Sequence, residues 1–155
     1  MLDDQHEYEK ILFRFYSEVL GKETVETMWA LTIDKEKGYY KMDNIPFYAP
    51  MIASDDIVFA EYDETEGRIT YRRTIEASGN STIQVVVTDE TQDVATLRAT
   101  FKEVGCESEG TGAGYFVVEI PAQLDYSPIR AKLEQLKYAG IIDYGEPYLS
   151  CNHQY

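Results

Sequence analysis

The sequence predicts an α+β protein, and three observations carry that reading. Short β-branched and aromatic runs separated by turn clusters fill the first half of the chain, the hydrophobic period lengthens from two to three or four after Thr88, and two capped amphipathic stretches then alternate with apolar runs. With 155 residues, 44% of them hydrophobic and 13% aromatic, the chain can bury a sizeable core, which excludes global disorder. It is read as a single compact domain over residues 1–155 carrying two lobes, residues 10–80 (β) and residues 82–150 (α+β).

The first lobe is expected to be an antiparallel β meander or small barrel. Ile11 to Tyr16 and Val25 to Ile33 are rich in strand formers, with Gly21-Lys22 between them as a hairpin signal. Ile11, Leu12, Phe15, Tyr16, Val19 and Leu20 also fit a helical stripe, so the first element stays open, with a strand preferred. Tyr39-Tyr40, Asp56 to Tyr62, Arg68 to Ile75 and Thr82 to Thr88 follow as short strands. Turns are expected at Asp34 to Gly38, Asn44-Ile45-Pro46, Asp63 to Gly67 and Ser78 to Ser81.

Beyond Thr88, Val94, Leu97, Phe101 and Val104 recur at helical spacing, with acidic residues before them and Gly105 after. A second helix is expected from Ser127 as cap and Pro128 in the first turn, with Ile129, Leu133 and Leu136 buried and Gly140 as the stop. Tyr115 to Ile120, ended by Pro121, and Ile141 to Leu149 read as strands. Strand, helix, strand pair, helix, strand is the order of a ferredoxin-like split βαβ half with two helices.

Charge narrows the function classes. Fourteen Lys and Arg against 28 Asp and Glu give a net charge of -14. Such a field repels phosphates and anionic lipid headgroups, so no nucleic acid and no membrane surface is expected as partner. Cys106 and Cys151 are too few for a secreted disulfide framework, residues 1–20 lack the uncharged core of a signal peptide, and no run approaches the ~20 apolar residues that span a bilayer. A cytoplasmic location is the expectation.

No motif announces catalysis. His6 and His153 lie near opposite ends of the sequence, and Cys151-Asn152-His153, placed in a frayed tail, has no second ligand pair, so no metal is expected. Asp63 to Gly67 fails as a calcium loop, because aligning Gly67 with the loop glycine puts Tyr62 first and Arg73 last. Gly110 to Gly114 lacks a following Gly-Lys-Ser/Thr and opens into a strand, so it reads as a hairpin loop instead of a phosphate cradle. Cys106 follows a helix C-terminus, whose partial negative charge opposes a thiolate. No catalytic residue, cofactor or metal is therefore expected, and the protein reads as a non-catalytic binder.

The segments Met28-Trp29-Ala30, Asp43 to Tyr48, Asp55 to Val58 and Ser78 to Thr82 resemble a bacterial family of about this length catalogued only as a domain of unknown function. The resemblance runs from roughly residue 11 to 149 and rests on turn residues and core aromatics. It implies a bacterial cytosolic protein and brings no catalytic residues with it. Small acidic bacterial proteins of this kind resemble immunity proteins paired with polymorphic or contact-dependent toxins.

The residues themselves support a binding role. Carboxylates cluster at Asp3, Asp4, Glu7 and Glu9, at Glu61 to Glu66, at Asp89 to Asp93 and at Glu107 and Glu109, while Tyr39, Tyr40, Tyr48, Tyr62 and Tyr71 fall on or near turns. Exposed negative charge speeds encounter with a cationic partner, and Tyr supplies contact area at low entropic cost. The expected partner is a basic toxin domain whose active site is occluded, with Tyr62, Asp63, Glu64, Glu66, Glu107, Glu109 and Tyr115 as contacts. The alternative is a small-molecule regulatory module in which Asp125, Tyr126 or Arg130 lines a pocket in the ferredoxin-like half.

Overall fold

The computed structural model describes residues 7–155. His6, Asp3 and Asp4 therefore lie outside the described residues. The chain divides into two compact units, residues 1–78 and 79–155.

The first unit contains β1 (Tyr8–Ser17), β2 (Lys22–Asp34), β3 (Tyr39–Met42), β4 (Ile57–Asp63) and β5 (Arg68–Glu76). Each strand is antiparallel to the next, and β1 meets β5 in parallel at Leu12 and Thr70, so the five strands close into a barrel. Closure removes the unpaired edges that a five-stranded meander would expose. Strand alternation sends Ile11 and Phe13, Met28 and Ala30, Tyr40 and Met42, and Val58 and Ala60 into one interior.

The first element is a strand. Its register with β2 runs from Tyr8 opposite Leu31 to Ser17 opposite Lys22, and Val19 and Leu20, which a helical stripe would bury, are exposed. Gly38 is required where it stands, since its φ is +74° and a Cβ there would lie 2.7 Å from the Ala60 carbonyl oxygen. Among the turn tyrosines, Tyr40 is buried in the barrel and Tyr71 stacks on Phe13 with ring centroids 4.7 Å apart, whereas Tyr62 is exposed.

The second unit contains β6 (Ser81–Val87), α1 (Val94–Glu103), β7 (Glu107–Gly110), β8 (Tyr115–Ile120), α2 (Ser127–Tyr138) and β9 (Ile142–Tyr148). Its sheet order, β7-β8-β6-β9 with antiparallel neighbours, is the ferredoxin-like arrangement. Both helices pack into one core, where Leu97 and Phe101 of α1 and Ile129, Leu133 and Leu136 of α2 meet Ile83, Val85, Phe116, Val118 and Ile120. No helix among the described residues is long and apolar enough to cross a membrane.

Three local expectations change. The hairpin loop expected at Gly110 to Gly114 starts one residue later, because Glu107–Gly110 forms an edge strand whose polar, glycine-ended sequence has no strand signal and whose backbone is held by pairing with β8. Ser127 does not cap α2; it is the first residue of the helix, and its amide donates to Asp125 Oδ1 at 3.0 Å. The segment 151–153 is not a frayed tail, because His153 is 2% exposed and its ring is held on both sides.

Candidate functional site

The acidic hairpin between β4 and β5 is built by Asp63. Its Oδ1 accepts the amides of Thr65 and Glu66 at 2.8 and 3.0 Å, and its carbonyl accepts the Gly67 amide at 2.7 Å. The Glu66 amide and then the Arg72 guanidinium hold the Asp63 carboxyl below its usual range. Arg72 also reaches Glu61 at 2.9 Å, and Arg14 grips Glu66 with two bonds of 2.8 and 2.7 Å, which lowers the Glu66 pKa in turn. The hairpin thus neutralises much of its own charge and leaves Tyr62 and Glu64 outward.

The other expected contacts belong to the second unit. Glu107 is exposed and Glu109 half-buried on β7, which α1 secures through Arg98: Nε donates to Ser108 Oγ at 2.9 Å and Nη2 to the Ser108 carbonyl at 2.8 Å. Tyr115 is buried at the start of β8, opposite Val86, so its ring is not presented at the surface. Cys106, just before β7, is buried. Burial, then Glu119 and Glu107, pushes its thiol up to about 12, which keeps it protonated and unreactive near neutral pH.

Asp125, Tyr126 and Arg130 line a common cavity of about 160 Å³, together with Ser127, His153 and Tyr155. The Arg130 guanidinium lies 3.7 Å over the Tyr155 ring, and its Nε is buried without a hydrogen-bond partner. Glu146 accepts hydrogen bonds from the Tyr126 and Tyr155 hydroxyls. Burial and then the Glu146 carboxylate raise the Tyr126 pKa, so the phenol stays a donor. Among the described residues no cluster of three or more His, Cys, Asp or Glu could hold a metal ion.

A further candidate, not singled out from sequence, is the 14-residue connection between β3 and β4, residues 43–56. Loops of this length without secondary structure are uncommon in compact folds and are usually functional. This one is pinned at three places. Glu26 accepts the successive amides of Phe47, Tyr48 and Ala49 at 2.8, 3.1 and 2.9 Å; Asn44 Oδ1 accepts the Trp29 amide at 2.7 Å; and Asp56 accepts the amides of Ala53 and Ser78 at 3.0 and 2.8 Å. Burial raises the Asp56 pKa against the pull of those amides. Ala49 and Ile52 plug the barrel core. The signal that could have exposed the loop is Glu26 itself: it occupies the inward register of β2, in line with Met28 and Ala30, where a carboxylate requires donors.

A family model described as Domain of unknown function (DUF4265) matches residues 26–144. A solved structure, that of a hypothetical protein from Neisseria gonorrhoeae, is 26% identical with a TM-score of 0.79, covering 94% of this chain and 98% of that one. No curated protein matches. Of the segments that carry the sequence resemblance, Asn44, Asp56, Asn80 and Ser81 each anchor a turn or terminus by a side-chain hydrogen bond. Since the family model spans well over half of the sequence, the chain belongs to the DUF4265 family of domains of unknown function.

Proposed function

We propose that this protein is an immunity-type inhibitor that binds a basic toxin domain and occludes its active site in the cytoplasm, without catalysis of its own. The carrying observation is uncompensated acidity: 14 cations can pair one-to-one with at most half of the 28 carboxylates. Cations are also spent internally, with Arg72 held by Glu61 and Asp63 and Arg14 by Glu66. The remaining negative field steers a cationic domain toward the surface and accelerates association. A nuclease-type toxin would supply that charge, because it must hold a polyanion.

The test is affinity capture from a lysate of the source organism with the tagged full chain, followed by association kinetics on the recovered domain. The expected result is one basic, toxic polypeptide whose on-rate falls about ten-fold between low and physiological salt. The double variant Glu64→Lys with Glu66→Lys slows association if the hairpin faces the partner. An unaltered salt-dependent rate removes the hairpin from the interface, and an absence of any basic partner at low salt defeats the inhibitory reading.

A second reading, a small-molecule regulatory module, is favoured by the cavity that joins Asp125, Tyr126 and Arg130. A guanidinium fixed against an aromatic ring suits a small carboxylate. Thermal shift with acetate and glycine should then raise the melting temperature of the wild type but not of Arg130→Gln, and no shift in either protein counts against this reading.

A further inference from the structure

We infer that the partner is gripped by the 43–56 loop of the barrel, with Met51 as an apolar knob and Asp43 and Asp55 as its acidic flank, and not chiefly by the acidic hairpin at Asp63–Glu66. The inference deepens the inhibitory reading and rests on it: the occupant is the same basic protein, now with an apolar recess for Met51.

The loop presents an unusual combination. Met51 and Asp55 are the positive-φ non-glycine residues among the described residues, at φ 61° and 68°, and both fall in this one loop. Asp tolerates the left-handed region, but an unbranched apolar side chain there has no local hydrogen bond to compensate, and such strain persists only where the surroundings over-determine the backbone. Here the surroundings do so: Glu26 cradles three successive amides just before Met51, and Ile52 just after it is 1% exposed in the barrel core. The consequence of all this fastening is a methionine held 67% exposed. Folding gains nothing from that placement, whereas a flexible thioether on a rigid support is well suited to fill a partner's pocket at little entropic cost.

Charge selects the occupant. Asp43 and Asp55 are both exposed, and Asp55 has only a loose 4.0 Å ion pair with Lys41. Beside the neck of the loop, Lys41, Asp55, Ile57 and Glu76 line a cavity of about 290 Å³ in which carboxylates outnumber the cation, a receptacle for a Lys or Arg side chain. Asp55 follows Met51 by four residues, so their Cα atoms are within about 14 Å and both side chains fit inside one standard interface. The hairpin, by contrast, has Glu61, Asp63 and Glu66 occupied by Arg72 and Arg14, which leaves Glu64 as its outward carboxylate.

Met51→Gly separates binding from folding, because glycine removes the knob and relieves the backbone at the same time. The full chain is compared as wild type, Met51→Gly and Glu64→Lys in capture and kinetic experiments with the basic polypeptide recovered from lysate, alongside thermal melts. The expected result is that Met51→Gly melts at or above the wild-type temperature yet binds at least about ten-fold more weakly, while Glu64→Lys changes affinity less. A photo-crosslinking residue at position 51 should join the same polypeptide. Undiminished binding by Met51→Gly overturns this inference and leaves the inhibitory function standing. A lower melting temperature for Met51→Gly overturns the strain argument on which it is built. Failure of the wild type to retain any basic polypeptide at low salt overturns the inhibitory function itself.

Discussion

Glu26→Ala is expected to cost the barrel unit about 3 kcal/mol and to release the loop at residues 43–56. The carboxylate accepts three backbone amides, and hydrogen bonds to a charged acceptor contribute about 1.5–3 kcal/mol each, net of exchange with water, where they are well buried. The cradle is half-buried, so water recovers part of that loss and the sum falls well short of three full bonds. A packing loss is added, because an unpinned loop withdraws Ala49 and Ile52 from the barrel interior. Glu26→Gln keeps one acceptor oxygen while its amide group faces the same N–H donors, and about half of the loss is expected to remain. Denaturant unfolding measures the difference, and hydrogen exchange locates it: amides 47, 48 and 49 should exchange about ten-fold or more faster in Glu26→Ala, with α2 unaffected. Unchanged protection at those three amides would show that the carboxylate does not hold the loop.

The elements legible in the sequence are those whose signal is local. Val94, Leu97 and Phe101 repeat at helical spacing, and Tyr115 to Ile120 is an apolar run closed by a proline, so α1 and β8 were placed from a few neighbouring residues each. The element order of the second unit then prescribed its topology. What was illegible depends on partners far along the chain. Glu107–Gly110 is a strand only because β8 lies beside it, and its sequence alone reads as loop. The acidic turn at Asp63 was legible as a turn, but the ion pair that blunts it comes from Arg14, 52 residues away. Asn44-Ile45-Pro46 reads as non-strand, as observed, yet nothing local says that Ala49 and Ile52 turn inward to fill the barrel core. The pocket residues Asp125, Tyr126 and Arg130 were reachable because they sit on one helix start, whereas His153 and Tyr155 join them through the terminal segment.

His153→Ala is expected to cost the second unit about 3–4 kcal/mol and to detach residues 150–155 from the sheet. The ring bridges three parts of the chain. Nε2 lies 3.0 Å from the carbonyls of Pro121 and Leu124, which can only accept, so Nε2 carries the proton. Nδ1 then accepts from Ser81 Oγ at 2.6 Å, and Ser81 Oγ itself accepts the Ser150 amide at 2.8 Å, which leaves its hydroxyl hydrogen free for the ring. Removal of the imidazole leaves a void and deprives buried polar atoms of their partners, each a penalty of about 1–3 kcal/mol in a dry site. Ser81→Ala alone should cost about 1–2 kcal/mol, since the ring keeps its carbonyl contacts. The two changes are not independent: once the ring is gone, the serine hydroxyl has lost its acceptor and its removal costs less. A double-mutant cycle by denaturant unfolding should therefore give a coupling energy of about 1 kcal/mol or more between positions 81 and 153. Strict additivity would show that the 2.6 Å contact contributes nothing beyond packing. Because His153 and Tyr155 line the same cavity as Arg130, detachment of the segment should also remove any thermal shift with small carboxylates, even though Arg130 itself is untouched.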